Sequence, residues 1–139
     1  MEIKKRINAA WQGRISGCLL GKPVEMMSMR EGQQYLNKFL NEAQSFPLRD
    51  YINYVEHDYI RGVNKSCMKD RIEKAEIDDD ITYTVLSLMM LERHGLELNS
   101  EDVARTWLNL LPAGATFTAE REAYLNIMKH ADMSFQFGG

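Results

Sequence analysis

Cysteine, proline and histidine are scarce in this chain. Its 139 residues include two cysteines, three prolines and three histidines. Cys18 falls in an apolar helical stretch and reads as a small core residue, while Cys67 lies in a polar segment. Such a pair gives neither a disulfide framework nor a zinc spacing, and a reducing cytoplasm is the simplest home for it. His57, His94 and His130 are isolated, and His94 stands where it helps to end a helix. There is no nucleophile triad, P-loop or dinucleotide fingerprint.

An excess of positive charge is missing too. Lysine and arginine number 17 against 20 acidic residues, a net charge of −3. No overall basic field draws the chain to nucleic acid in bulk or to an anionic membrane. Long hydrophobic runs are also absent. The longest, "VLSLMMLERHG", meets Glu92 and Arg93 well short of the roughly 18 apolar residues of a membrane span. The start, "MEIKKRINAAWQGR", lacks the unbroken apolar core of a signal peptide.

What remains is an ordinary globular composition, 45% hydrophobic and 27% charged. The length suits one domain, 1–139, able to bury about 70% of its unfolded surface. Ile3, Ile7, Ala10, Trp11, Ile15, Cys18 and Leu19 recur every three to four residues and predict an amphipathic helix over 3–20. Gly13, Gly17 and Gly21 run along it at every fourth position. Each costs about 1 kcal/mol relative to alanine within a helix, which predicts close approach of another backbone or a ligand. Pro23 stops the helix, with Lys22 and Glu25 in the turn.

Ser28 and Glu31 fit a capping box, ahead of a helix with Tyr35, Leu36, Phe39, Leu40 and Ala43 on its inner face. From Gln44 to Lys74 periodicity is lost, and a long excursion with short helical pieces is expected. Its tyrosines, Tyr51, Tyr54 and Tyr59, argue against disorder. Ile81, Val85, Leu88, Met89 and Leu91 predict a deeply buried helix that ends at Gly95. Asn99 or Ser100 caps the next helix, which buries Val103, Ala104, Trp107, Leu108 and Leu111 and ends at Pro112. Thr118 caps the last, and an apolar tail, "MSFQFGG", follows. No segment alternates as a strand does, so the expected class is all-α, a bundle of helices packed on helices.

The densest chemical signal is "AEIDDDITYT", in which Glu76 precedes Asp78, Asp79 and Asp80. One or two aspartates serve capping and the helix dipole. Three in a row exceed that need. Carboxylates that converge repel one another unless a cation sits among them, and hard oxygen donors without histidine or cysteine select Mg2+, Ca2+ or Mn2+. Glu25, in "KPVE", reads either as a solvated residue after the proline turn or as part of the same site.

"AAWQGRISGCLLGKPVE" and "EIDDDITYTVLSLMMLERHGL" together resemble the ADP-ribosylglycohydrolase family, which includes the enzyme that reactivates dinitrogenase reductase. The first is similar to the family's opening glycine helix and its glutamate, the second to a Thr-Asp-Asp-Thr-like block that opens a buried helix. The later segments, "VARTWLNLLP" through "TAEREAYLNI", keep the order of one branch, so the resemblance spans nearly the whole chain. It implies an all-α fold with a binuclear Mg2+ site that hydrolyses the glycosidic bond of ADP-ribose attached to proteins or related acceptors. Asp79 and Asp80 match the paired metal-holding aspartates. Asp78 stands at a frequent threonine position and still offers an oxygen to the metal, while Ile81 replaces the second threonine. Glu25 matches the glutamate that contacts the metal or its water, the catalytic position.

Members of that family run to about twice this length, and their second half carries another aspartate-rich block. Here Asp132 stands alone in "HADMSF". The expectation is therefore the N-terminal half of the fold, with apolar faces covered by a second copy or a protein partner. Two activities follow. One is Mg2+-dependent hydrolysis once another chain completes the site. The other is a non-catalytic inhibitor or adaptor, with the aromatic stretch Phe46 to Tyr59 as its contact surface.

Overall fold

The computed structural model describes residues 2–56 and 63–130. His57, Tyr59, Asp132 and the apolar tail lie outside the described residues. The class is all-α: five helices and no strand among the described residues. In chain order they are α1 (Ile3–Gly21), α2 (Glu25–Glu42), α3 (Asp79–His94), α4 (Ser100–Leu110) and α5 (Thr118–His130). Single 3-10 turns stand at Lys65–Cys67, Gly95–Glu97 and Ala113–Ala115. No helix among the described residues is long and apolar enough to cross a membrane. The chain divides into two compact units, 1–78 and 79–139.

The core of unit 1 gathers Met27, Phe39, Leu40, Ala43, Ile52 and Met68. Phe39, Leu40 and Ala43 lie buried, and Tyr35 and Leu36 pack against them, so the inner face read for this helix holds. Its start does not. Helix α2 begins at Glu25, and the Ser28 hydroxyl donates to the Glu25 carbonyl at 2.8 Å instead of capping. The chain turns over Lys22–Val24, and the first turn forms four residues earlier than the capping box places it. The break comes inside α2, at Gly32 with φ 77° and ψ −179°, a conformation that side chains with a Cβ rarely adopt.

The irregular excursion completes this core. Ile52, Cys67 and Met68 are wholly buried. The Lys69 amide donates to the Ile52 carbonyl at 2.8 Å. Asn53 Nδ2 donates to the Ala43 carbonyl at 2.9 Å, and the Asn53 amide donates to Ser45 Oγ at 2.9 Å. Arg71 lies 4.3 Å from the centre of the Tyr54 ring, a cation-π contact. These bonds satisfy part of the segment's backbone while Ile52 and Met68 join the core, which no periodic pattern signals.

Helix α1 departs from the amphipathic expectation. Only Leu19 is buried; Trp11, Ile15 and Cys18 are half-buried, and Ile3 and Ile7 are exposed. Lys4, Lys5, Arg6, Asn8, Gln12 and Arg14 interleave with the apolar positions. A Cβ placed at Gly13, Gly17 or Gly21 meets nothing within 4 Å, so among the described residues no backbone approaches the stripe.

In unit 2, Leu86, Leu111 and Tyr124 form the core, with Tyr83, Trp107 and Leu108 against it. The Tyr83 and Trp107 rings lie 5.6 Å apart. Helix α3 is less buried than its sequence implies. Leu86 and Met90, one turn apart, are its buried residues, whereas Val85, Leu88, Met89 and Leu91 are exposed. Its apolar residues surround the axis, and the packing covers one stripe of them. The helix ends as expected: Gly95 takes φ 62° just past His94. Asn99 caps α4 by accepting from the Glu101 and Asp102 amides, and Asp102 accepts from the Asn99 amide, a complete capping box. Leu111 is buried, and Val103, Ala104, Trp107 and Leu108 are half-buried. Thr118 is the first residue of α5, one place beyond a cap.

Candidate functional site

Lysine 22 organises the patch at the end of α1. Its Nζ donates to the Ile77 carbonyl at 2.6 Å and to Asp78 Oδ2 at 3.0 Å, across 56 residues of sequence in the second case. The Lys22 and Asp78 side chains are 22% and 9% exposed, so this pair is shielded more than a surface ion pair. Burial works to lower the Lys22 pKa. The hydrogen bond and charge of Asp78, helped by the charges of Cys67 and Glu25, outweigh it and raise the ammonium above its ordinary value. The result is a lysine held charged against a carboxylate within unit 1.

The chain around it is tied as well. Ser66 Oγ lies 2.6 Å from Asn64 Oδ1 and 2.9 Å from Glu76 Oε1. Glu76 is thus fixed to the 64–66 turn. Cys67, the cysteine of the polar segment, is the wholly buried one, and Cys18, read as core, is half-buried. Burial pushes the Cys67 thiol up, with Glu76 and Asp78 adding to the rise and Ser66 and Lys22 opposing it.

The four acidic positions singled out from sequence fall differently. Glu25 is exposed on the first turn of α2, close enough to Lys22 for its charge to act there. Asp78 is the last residue of unit 1 and is engaged by Lys22. Asp79 and Asp80 are exposed and open α3 in unit 2, where acids complement the helix dipole. Thr84 Oγ1 donates to the Asp80 carbonyl at 2.8 Å, one turn down the same helix.

Magnesium takes hard oxygen donors. The carboxylates of Glu25, Asp79 and Asp80 fit that chemistry and are accessible. Asp78 fits poorly, because an ammonium already neutralises it and the Cys18 Sγ, a soft donor, lies within 4.8 Å of its carboxylate oxygen. The role of Lys22 was not legible as more than a turn residue. The one signal for it is a lone cation after a glycine-spaced helix, in a chain with an acidic block elsewhere. Local spacing cannot couple residues this far apart.

In unit 2, the Tyr83 hydroxyl is buried and has no hydrogen-bond partner among the described residues. Burial, then the charges of Glu120 and Asp79, hold its pKa above the ordinary value. His94 Nδ1 lies 3.5 Å from Asp102 Oδ1, joining the end of α3 to the start of α4. Comparison with protein-family models, with curated proteins and with solved structures returns no match for this chain.

Proposed function

We propose that this chain supplies the first two blocks of an ADP-ribosylglycohydrolase-like site, one that hydrolyses the glycosidic bond of ADP-ribosylated substrates with Mg2+ once another chain or a second copy completes it. One observation carries the reading. The two sequence blocks that resemble the family, far apart in the chain, are tied through Lys22 to Ile77 and Asp78. A glycine helix leading to Glu25 and an acidic block would have no reason to be pinned together if each were only a cap.

In this reading Asp79 and Asp80 would hold the metal, and Glu25 would be the catalytic carboxylate facing the metal or its water. Bound Mg2+ would orient ribose hydroxyls and lower the pKa of a water. The carboxylates contribute negative charge and proton acceptors. Lys22 keeps Asp78 neutralised, so that the repulsion among neighbouring acids is lessened before any cation arrives.

A thermal-shift titration with ADP-ribose, with and without Mg2+, tests the proposal. A ligand at 100 times its Kd stabilises the folded state by about 2.7 kcal/mol. The expected result is a Mg2+-dependent rise in Tm that disappears in Asp79→Ala/Asp80→Ala. Cooperative melting with no shift in either condition would sink it.

A second reading, a non-catalytic inhibitor or adaptor, is favoured by the Lys22–Asp78 pair itself, since that carboxylate already has its counter-charge. Phe46 and Leu48 are exposed apolar residues of the excursion and would belong to its contact surface. It predicts partner binding that is unchanged by Asp79→Ala/Asp80→Ala.

A further inference from the structure

A groove of about 370 Å3 opens in unit 1, and Glu25, Asp78, Asp79 and Asp80 are not among its lining residues. Ser16, Gly17 and Leu20 of α1 form one wall, and Leu48, Arg49 and Tyr51 form the other. The volume falls in the lower part of the range for small-molecule sites, about 300–1,000 Å3. Its lining is mostly apolar with a few polar groups, the usual composition of such sites. Gly17 matters for the space: it presents no side chain, and a Cβ placed there meets nothing within 4 Å.

The charge of the lining has a sign. Asp50 also borders the groove, but its Oδ2 accepts from Lys69 Nζ at 2.6 Å, so its charge is matched. No described carboxylate pairs with Arg49. Among the described residues, Arg49 therefore leaves the groove with an unmatched positive charge. A guanidinium binds phosphate oxygens through paired N–H donors, and the Ser16 hydroxyl adds a further donor. Leu20, Leu48 and the half-buried Tyr51 ring offer the flat, apolar remainder.

We propose that this groove binds a small phosphate ester that carries a flat ring, with the phosphate at Arg49 and the ring between Leu20, Leu48 and Tyr51. The lining shares no residue with the acidic set and the ligand needs no Mg2+, so the proposal stands or falls independently of the proposed hydrolase.

Phenyl phosphate is a suitable probe, with inorganic phosphate and phenol as its two halves, followed by amide chemical shifts of the full chain. Saturable shifts at Ser16, Gly17 and Tyr51 are expected, tighter for phenyl phosphate than for either half. Arg49→Gln should weaken binding by about tenfold or more, the loss of a charge-assisted hydrogen bond. Gly17→Leu should weaken it at least as much by filling the groove, while its helix content holds or rises. Asp79→Ala/Asp80→Ala and removal of Mg2+ should leave it unchanged. The proposal is overturned by absence of saturation at millimolar ligand, by inorganic phosphate binding as tightly as the ester, or by indifference to both groove variants.

Discussion

The two units build their interiors from opposite materials. Unit 1 takes three wholly buried anchors, Ile52, Cys67 and Met68, from chain outside its long helices, and holds that chain with side-chain hydrogen bonds of Asn53 and Ser45. Unit 2 is made of three helices, yet buries only Leu86, Leu111 and Tyr124 in its core cluster and leaves a tyrosine hydroxyl unpartnered among the described residues. Regular secondary structure and a well-filled core are separate achievements. A helix satisfies its own backbone and can stand with much of its apolar surface uncovered. An irregular segment cannot, because every peptide group it buries needs an outside partner.

The contrast can be tested, because each unit carries one tryptophan, Trp11 and Trp107. Single-tryptophan variants report on each separately. The largest effect should come from Phe39→Ala, which empties the core of unit 1 and should cost about 3–5 kcal/mol. In urea unfolding, the Trp11 transition should move to lower denaturant while the Trp107 transition stays. Equal shifts of both would erase the distinction between the units.

Next in size is Lys22→Met. It leaves the shielded Asp78 carboxylate without its partner and should cost roughly 1–2 kcal/mol at neutral pH. The pH dependence has a definite sign. The folded-state pKa values of Lys22 and Cys67 are both raised, from ordinary values of 10.5 and 9.0. Each group's contribution is fully present below its ordinary value and is lost as pH rises through the folded one. Unit 1 should therefore weaken from about pH 9 upward. Lys22→Met should abolish the upper part of that loss and leave the part due to Cys67.

Tyr83→Phe should have the smallest effect, between neutral and a gain of about 1 kcal/mol, because it removes a buried hydroxyl that has no partner. A loss beyond about 1 kcal/mol in the Trp107 transition would mean that the hydroxyl is satisfied, and the contrast between the units would narrow.

Much of this was legible in the chain. Gly95 as the end of α3, the Asn99–Asp102 capping box and the inner face of α2 follow from residue type and spacing alone. These are local features, decided within one or two turns. What was hidden depends on partners distant in sequence. The exposure of Val85, Leu88 and Met89 reflects which stripe of an all-round apolar helix finds a neighbour. The burial of Cys67 and the grip of Lys22 on Asp78 are set by the path of an aperiodic segment. Of the candidate site, residue types could be named, but not that one of the four acids would already be matched by an ammonium.

Gly32 deserves a last consequence. Met27 and Phe39 sit in one core, yet twelve residues of unbroken α-helix would rotate them about 120° apart. The single residue at φ 77° resets the phase, so that two helical segments with different rotational settings face the same interior. Without that reset, Met27 and Phe39 would face different directions, and α2 would turn one of them away from this core.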